Sequence, residues 1–231
     1  MCRMFAYIGS SNEELLRLYS ALKKAAENDP IAKKLRVGFE SHADGWGYVI
    51  AGEDGSLHHY RTSKPIYNDL HRIPEMVGGF SAIFHVRKAS DKTTIRPAFA
   101  HPLLEDNENE LLFFAHNGSL EKEPLAKALG FAGITIDSEL AAKLYARDGT
   151  KCMRLLEKNT KSALNLLIMH INRKTGKAQI YYKKYYVKPE KAEFYDLYYK
   201  ELDNGRTVYS STLDQLGLNG EKVTGNELAL L

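Results

Sequence analysis

An α+β fold is what this chain predicts, on three observations. Strand-forming runs open the sequence, a block of helical periodicity lies between Pro124 and Lys158, and strand-forming runs return between Ala163 and Thr212. Strands and helices segregated in this way pack as sheets layered against helices.

Cys2 to Ile8 is rich in β-formers and predicts the first strand. Ser11 precedes Glu14 at capping-box spacing, and Leu15, Leu18, Leu22 and Ala25 follow at helical period, so a helix is expected to about Asn28, where Asp29-Pro30 ends it. A loop then closes on His42-Ala43-Asp44-Gly45-Trp46-Gly47 and opens onto a strand at Tyr48-Val49-Ile50. Glu53-Asp54-Gly55 reads as a hairpin turn whose return strand is Leu57 to Arg61.

Asp69 to Met76 suggests a short helical piece, and Phe80 to Val86, bounded by glycines and a charged loop, a buried strand. Lys88 to Asn109 is read as a long loop carrying Pro97 and Pro102; a loop of that length inside a compact domain is more often functional than idle. Leu111 to Ala115 predicts another buried strand that stops at His116-Asn117-Gly118. Helices are expected at Pro124 to Leu129, from Asp137-Ser138-Glu139 to Arg147, and at Lys151 to Lys158. Ala163 to Ile171 and Gln179 to Val187 flank a hairpin loop, a polar Tyr-rich stretch covers Phe194 to Asp203, and Thr207 to Thr212 is a late strand.

The 231 residues suffice for one substantial core, and no Pro/Gly/Ser-rich linker divides them, so a single domain over residues 1–231 is expected. With 32 Lys and Arg against 29 Asp and Glu the net charge is +3, which points neither to a nucleic-acid binder nor to an anionic-membrane binder. Only Cys2 and Cys152 are present, too few for a disulfide framework or a cysteine-based zinc site, and this favours the cytoplasm. The start has no charged leader with an apolar stretch, and no segment approaches the roughly 18 apolar residues of a membrane span.

Of the eight histidines, His85 and His116 are expected at strand ends, but no metal-ligand spacing accompanies them and no metal site is expected. His58 and His59 are predicted on opposite faces of a strand. Tyr181 to Tyr186 interleaves lysines with tyrosines; a strand with lysines near an exposed edge explains this more simply than a base-stacking surface. Cys152 reads as a core or boundary residue. Without a phosphate loop or dinucleotide fingerprint, no cofactor is expected.

The chemistry gathers elsewhere. Cysteine is small enough for the preceding initiator methionine to be trimmed, and trimming places a thiol and a free α-amine on Cys2. Such an amine has a pKa of roughly 7.7–8.0, so part of it is neutral near pH 7 and can take a thiol proton. Singly, Arg87 at a strand end reads as a surface ion-pair partner, Asn117-Gly118 as a turn, and Asp137 as a helix N-cap. Together with Cys2 they supply what an amide hydrolase for glutamine needs. Arg87 suits bidentate capture of the α-carboxylate and Asp137 suits the α-ammonium; the Asn117 side-chain amide and the Gly118 N–H suit an oxyanion hole.

Five segments in order carry a family resemblance: Cys2-Arg3-Met4-Phe5-Ala6-Tyr7, Asp44-Gly45-Trp46-Gly47, His85-Val86-Arg87, His116-Asn117-Gly118 and Asp137-Ser138-Glu139. They resemble the signatures of class II glutamine amidotransferases, which are N-terminal-nucleophile hydrolases. The match runs from Cys2 to about Tyr145, with weaker support from Tyr209-Ser210-Ser211-Thr212. The resemblance implies a four-layer αββα sandwich of two antiparallel sheets between helix layers. It also implies Cys2 as nucleophile and its amine as base, Arg87 and Asp137 as glutamine-binding residues, Asn117 and Gly118 as the oxyanion hole, and a supporting role for His101 in Ala100-His101-Pro102. The reaction it implies releases ammonia or an amine and hydrolyses a γ-glutamyl thioester.

The Asp-Gly-Trp-Gly segment departs from the hexosamine-phosphate synthase branch and is similar to small stand-alone members. Two consequences are expected: an ammonia-accepting synthase subunit as partner, or simple hydrolysis of a γ-glutamyl amide. The alternative is a non-catalytic subunit that keeps the hydrolase fold as an interaction scaffold.

Overall fold

The computed structural model describes residues 2–231; the expected trimming of Met1 falls outside them. Among the described residues twelve strands form two antiparallel sheets. The larger sheet has the order β11-β9-β10-β1-β4-β2-β3. Its strands are β1 (Arg3–Gly9), β2 (Trp46–Gly52), β3 (Leu57–Thr62), β4 (Phe80–Val86), β9 (Leu197–Leu202), β10 (Gly205–Ser210) and β11 (Glu221–Lys222). The smaller sheet has the order β12-β8-β7-β6-β5, from β5 (Leu103–Asp106), β6 (Glu110–Leu120), β7 (Thr160–Asn172), β8 (Ala178–Lys183) and β12 (Ala229–Leu230).

Strand periodicity builds the layers. On β1, Met4 and Ala6 face inward and, with Val49 and Ile83, meet Phe113, Ala115, Leu167 and Met169 of the smaller sheet. Phe5 and Tyr7, one residue out of phase, face outward and pack with Trp46 and Phe84 beneath Leu15, Leu18 and Leu22 of α1 (Asn12–Glu27). Leu112 and Phe114 likewise face outward, against Leu140, Ala141 and Leu144 of the helix at Asp137–Asp148. Helix, sheet, sheet, helix is the layering expected. A fully buried Leu or Phe stabilises such an interface by about 1.5–3 kcal/mol.

The first helix begins as predicted, Ser11 Oγ accepting from the Glu14 N–H at 3.3 Å. Asp29-Pro30 ends it and also starts α2 (Pro30–Lys34), because Asp29 Oδ1 accepts from the N–H groups of Ile31 and Ala32 at 3.1 and 3.0 Å. The remaining helices are α3 (Lys122–Leu129), α4 (Asp137–Asp148), α5 (Met153–Lys158), α6 (Ala192–Tyr195) and the short α7 (Ser211–Leu213), so the late strand expected to reach Thr212 stops at Ser210.

Several expectations are corrected. Asp69 to Met76 is not helical: Pro74 removes an N–H donor and disfavours helical geometry at Ile73, and the Asp69 carboxylate binds Trp46 Nε1 at 3.0 Å and the Tyr60 hydroxyl at 2.7 Å instead. The loop from Lys88 contains 3₁₀ turns at Lys92–Thr94 and Pro97–Phe99 and then β5, which pairs with β6. Strand β6 does not stop at His116 but continues through Gly118 to Leu120, because β7 offers partners that far: His116 opposite Leu166, Asn117 opposite Asn165, Gly118 opposite Leu164. The Tyr-rich stretch yields α6 and β9, the latter paired along β10.

Strand β8 lies between β7 and β12 rather than at an edge. Its Lys183 is buried, pairs with Glu157 at 2.6 Å and donates to the Asn226 carbonyl, while Lys184 donates to the Val223 carbonyl. These lysines are therefore consumed internally, contrary to the exposed-edge reading.

At the head of β1 sits a fully buried ion pair. Arg3 Nε donates to Asp29 Oδ2 at 2.6 Å, and the guanidinium lies 3.7 Å from the Phe194 ring centroid. His42 Nε2 joins the same oxygen at 2.9 Å, and the Thr212 hydroxyl donates to Asp29 Oδ1 at 2.8 Å. Helix α2, the helical turn Ser211–Leu213 that follows β10 and the loop before β2 are thus tied to the residue beside Cys2.

Candidate active site

Cys2 lies immediately ahead of β1, and Arg3 pairs with Val86, so Arg87 emerges from β4 next to Cys2. From the facing sheet β6 brings Asn117. The Cys2 backbone nitrogen donates to Asn117 Oδ1 at 2.7 Å. With its oxygen held, the Asn117 amide is oriented, and Nδ2 is left buried without a partner. Gly118 follows, where the chain passes so close to β7 that a Cβ would lie 1.7 Å from the Ala163 carbonyl oxygen. Only glycine fits there.

Cys2, Arg87, His101, Gly118 and Asp137 line one pocket of about 380 Å³. Asn117 lies behind it, 1% exposed. The six residues singled out in the sequence are therefore gathered at one place. The Arg87 guanidinium is held by the Thr94 carbonyl at 2.9 Å and the Thr94 hydroxyl at 2.8 Å. Asp137 is not the N-cap of α4, a position held by Ile136, but its first helical residue. Its Oδ2 accepts from the Leu120 N–H and its Oδ1 from the Ser138 N–H, at 2.8 and 2.9 Å. Asp44, of the Asp-Gly-Trp-Gly segment, accepts from the Ala89 N–H at 2.9 Å and pairs with Lys92 at 2.7 Å. That carboxylate fastens the Lys88–Thr94 segment along the pocket wall.

Electrostatics single out Cys2. Burial raises the pKa of its thiol, but the amino-terminal charge and the charge and hydrogen bonding of His85 outweigh it, bringing the thiol down to about 5. Cys152, by contrast, is pushed up to about 12 by burial and Asp148. Burial also holds His101 and His116 below the ordinary imidazole range. His116 Nε2 faces the Ala163 carbonyl at 3.2 Å, which can only accept, so Nε2 carries the hydrogen and Nδ1 accepts from the Ser138 hydroxyl at 2.9 Å. The His101 ring lies 4.4 Å from that of His85, with both nitrogens buried and unpartnered.

The sequence reading missed His85 and Thr94 as parts of this site. A signal existed for His85: strand period two puts it on the same face as Arg87. Thr94 offered none, since its position depends on how the loop folds back. Among the described residues no group of three or more His, Cys, Asp or Glu side chains is placed to hold a metal ion, and no helix is long and apolar enough to cross a membrane.

No family model matches the sequence, and no curated protein matches it. Solved structures do share its architecture. Glutamine phosphoribosylpyrophosphate amidotransferase from B. subtilis, complexed with ADP and GMP, superposes over 96% of this chain and 44% of its own, with a TM-score of 0.65 at 19% identity. A structure described as the allosteric regulatory enzyme of purine biosynthesis gives 0.64 at 19% identity over 95% of this chain and 44% of its own. The chain shares the fold of these structures, two antiparallel sheets between helix layers. The chain spans less than half the length of these two amidotransferase-fold chains.

Proposed function

We propose that this chain is a glutamine amidotransferase-type amidohydrolase, a single catalytic domain that cleaves the side-chain amide of glutamine or of a γ-glutamyl compound. The observation that carries the reading is the Asn117 amide, whose oxygen is fixed by the Cys2 nitrogen while its buried Nδ2 has no partner. An orphaned donor beside a nucleophile costs stability unless something accepts from it, and the oxyanion of an attacked amide is such an acceptor.

In this reading Met1 is removed and the Cys2 nitrogen becomes the α-amine. The α-amine takes the Cys2 thiol proton as the sulfur attacks the amide carbon and holds it for the leaving nitrogen, while the carbonyl oxygen takes up negative charge between Asn117 Nδ2 and the Gly118 N–H. Collapse expels ammonia or an amine and leaves a γ-glutamyl thioester, which water hydrolyses. Arg87 grips the α-carboxylate and Asp137 the α-ammonium, with His101 against the bound molecule. Ammonia then either leaves the protein or passes to a synthase subunit. Cytoplasmic residence is part of the reading, as is the absence of any role for nucleic acid or membrane.

The test is ammonia release from glutamine and a panel of γ-glutamyl amides, with Cys2→Ala as the variant. Loss of release with unchanged thermal unfolding is expected, together with labelling of Cys2 by a glutamine-analogue electrophile. Undiminished release from Cys2→Ala excludes the mechanism.

A further inference from the structure

We propose that Thr94 is a positioning residue for substrate recognition: it occupies one edge of the Arg87 guanidinium and so turns the other edge, Nε with Nη2, toward the α-carboxylate of the bound molecule. The inference rests on Arg87 as the carboxylate grip of the function proposed above, and it gives a task to a residue which that reading leaves unused.

A guanidinium carries five N–H donors in a rigid plane and accepts nothing. Thr94 takes two of them, its carbonyl oxygen accepting from Nη1 at 2.9 Å and its hydroxyl from Nη2 at 2.8 Å. Two acceptors on one residue stand too close together to reach the outer hydrogens of both nitrogens, so they fill the fork between Nη1 and Nη2. The hydroxyl has no choice of role there. Its own hydrogen goes to the Asp91 carbonyl at 2.6 Å, and toward Arg87 the oxygen can only accept.

What is left for a ligand is the side edge. Nε–H and the outer Nη2–H point the same way and match the two oxygens of a carboxylate. Nε makes no hydrogen bond among the described residues and is not sealed inside the protein. Arg87 and Thr94 both line the pocket that also holds Cys2 and Asp137.

Thr94 is itself firmly held. It is buried and closes the 3₁₀ turn at Lys92–Thr94, whose start is capped by Asp91 Oδ1 accepting from the Thr93 N–H at 2.9 Å. Asp44 pins the same segment through the Ala89 N–H and Lys92. The guanidinium is therefore oriented before a ligand arrives, and preorganisation of that kind raises affinity by removing an ordering cost from the binding step.

The experiment has two arms. Calorimetry measures binding of L-glutamine and of 4-aminobutanamide, which is glutamine without its α-carboxylate, to Cys2→Ala, which lacks the nucleophile, and to the same chain carrying Thr94→Val or Thr94→Ser. Ammonia release from both compounds is followed in chains that keep Cys2. Thr94→Val retains the branched shape without the hydroxyl; it is expected to weaken glutamine binding about tenfold and to raise KM similarly, with a smaller change in kcat. Thr94→Ser keeps the hydroxyl and is expected to stay within about threefold of Thr94. Binding of 4-aminobutanamide is expected to be at least about tenfold weaker than that of glutamine and equal with Thr, Val or Ser at position 94, a pattern that general damage to the pocket would not give.

Unchanged glutamine binding in folded Thr94→Val overturns the inference, as does an equal loss on 4-aminobutanamide or a Thr94→Ser as weak as Thr94→Val. Equal binding of the two compounds to Cys2→Ala overturns it without any change at Thr94 having to fold. If the binding pattern appears but the unmodified chain releases ammonia from no amide, the proposed function fails while the role of Thr94 stands. Turnover that is robust in the unmodified chain and undiminished in Thr94→Val at low glutamine does the reverse. Glutamine that binds to none of the chains overturns both.

Discussion

The backbone nitrogen of Cys2 donates to Asn117 Oδ1 at 2.7 Å across 115 residues of sequence. This one bond joins the two sheets at the pocket and decides which way the Asn117 amide points. Because Oδ1 is occupied, Nδ2 is the end that remains for a developing oxyanion.

Asn117→Asp is therefore an informative change. It keeps an acceptor for the Cys2 nitrogen and replaces the orphaned donor with a second oxygen. Ammonia release from glutamine should fall about 10²–10³-fold in kcat, the usual consequence of losing one oxyanion donor, with little change in KM. Steady-state kinetics on the folded variant provide the check; an effect confined to KM would assign Asn117 to substrate binding instead.

How legible was this in the sequence? Period-two alternation sufficed for Phe80–Val86, whose predicted and observed limits coincide, because glycines and a charged loop frame an apolar run. It failed at Asn117-Gly118, where two residues common in turns sit inside a strand. Nothing local signals that β7 continues alongside them or that the Ala163 carbonyl excludes a side chain at Gly118. The site residues were legible as types because amide hydrolysis needs a nucleophile, oxyanion donors and two charged grips. The partner of Arg87 was not, since Thr94 reaches it only through the fold of the loop.

Arg87 yields the second prediction. Its guanidinium is pre-set by two bonds to Thr94 and lines the pocket. Arg87→Lys keeps the charge but not the fork, so bidentate capture of a carboxylate is lost. A hydrogen bond to a charged group is worth about 1.5–3 kcal/mol, so KM for glutamine should rise about 10- to 100-fold with a smaller change in kcat. Cys2 alkylation by iodoacetamide, which needs no carboxylate grip, should be nearly unaffected. A kcat-only loss would place Arg87 outside substrate binding.

The buried cluster beside Cys2 sets the acid stability. Burial and the charge of Arg3 outweigh the Asp29 hydrogen bond and hold His42 down at about 4. Burial alone would raise Asp29, but its bond to His42 and the charge of Arg3 prevail and keep it well below the carboxylate range. Between pH 4 and an unfolded value near 6.5 the unfolded chain carries a proton on His42 that the folded chain lacks, so stability falls as pH falls through that window. Asp29 adds a second loss below an unfolded value of about 3.9, where the unfolded carboxylate takes up its proton first. One fully released proton corresponds to a slope of about 1.4 kcal/mol per pH unit, and the depressed His101 and His116 act in the same direction. Urea midpoints measured at pH 7, 5.5 and 4.5 should therefore decline steadily, and His42→Gln, which can keep a donor toward Asp29, should flatten the decline. Asp29→Asn should cost about 3–5 kcal/mol already at pH 7, because it strands the buried Arg3 charge. Parallel pH slopes in the unmodified chain and His42→Gln would show that His42 exchanges no proton on unfolding, and the acid sensitivity would then belong to the histidines around the pocket.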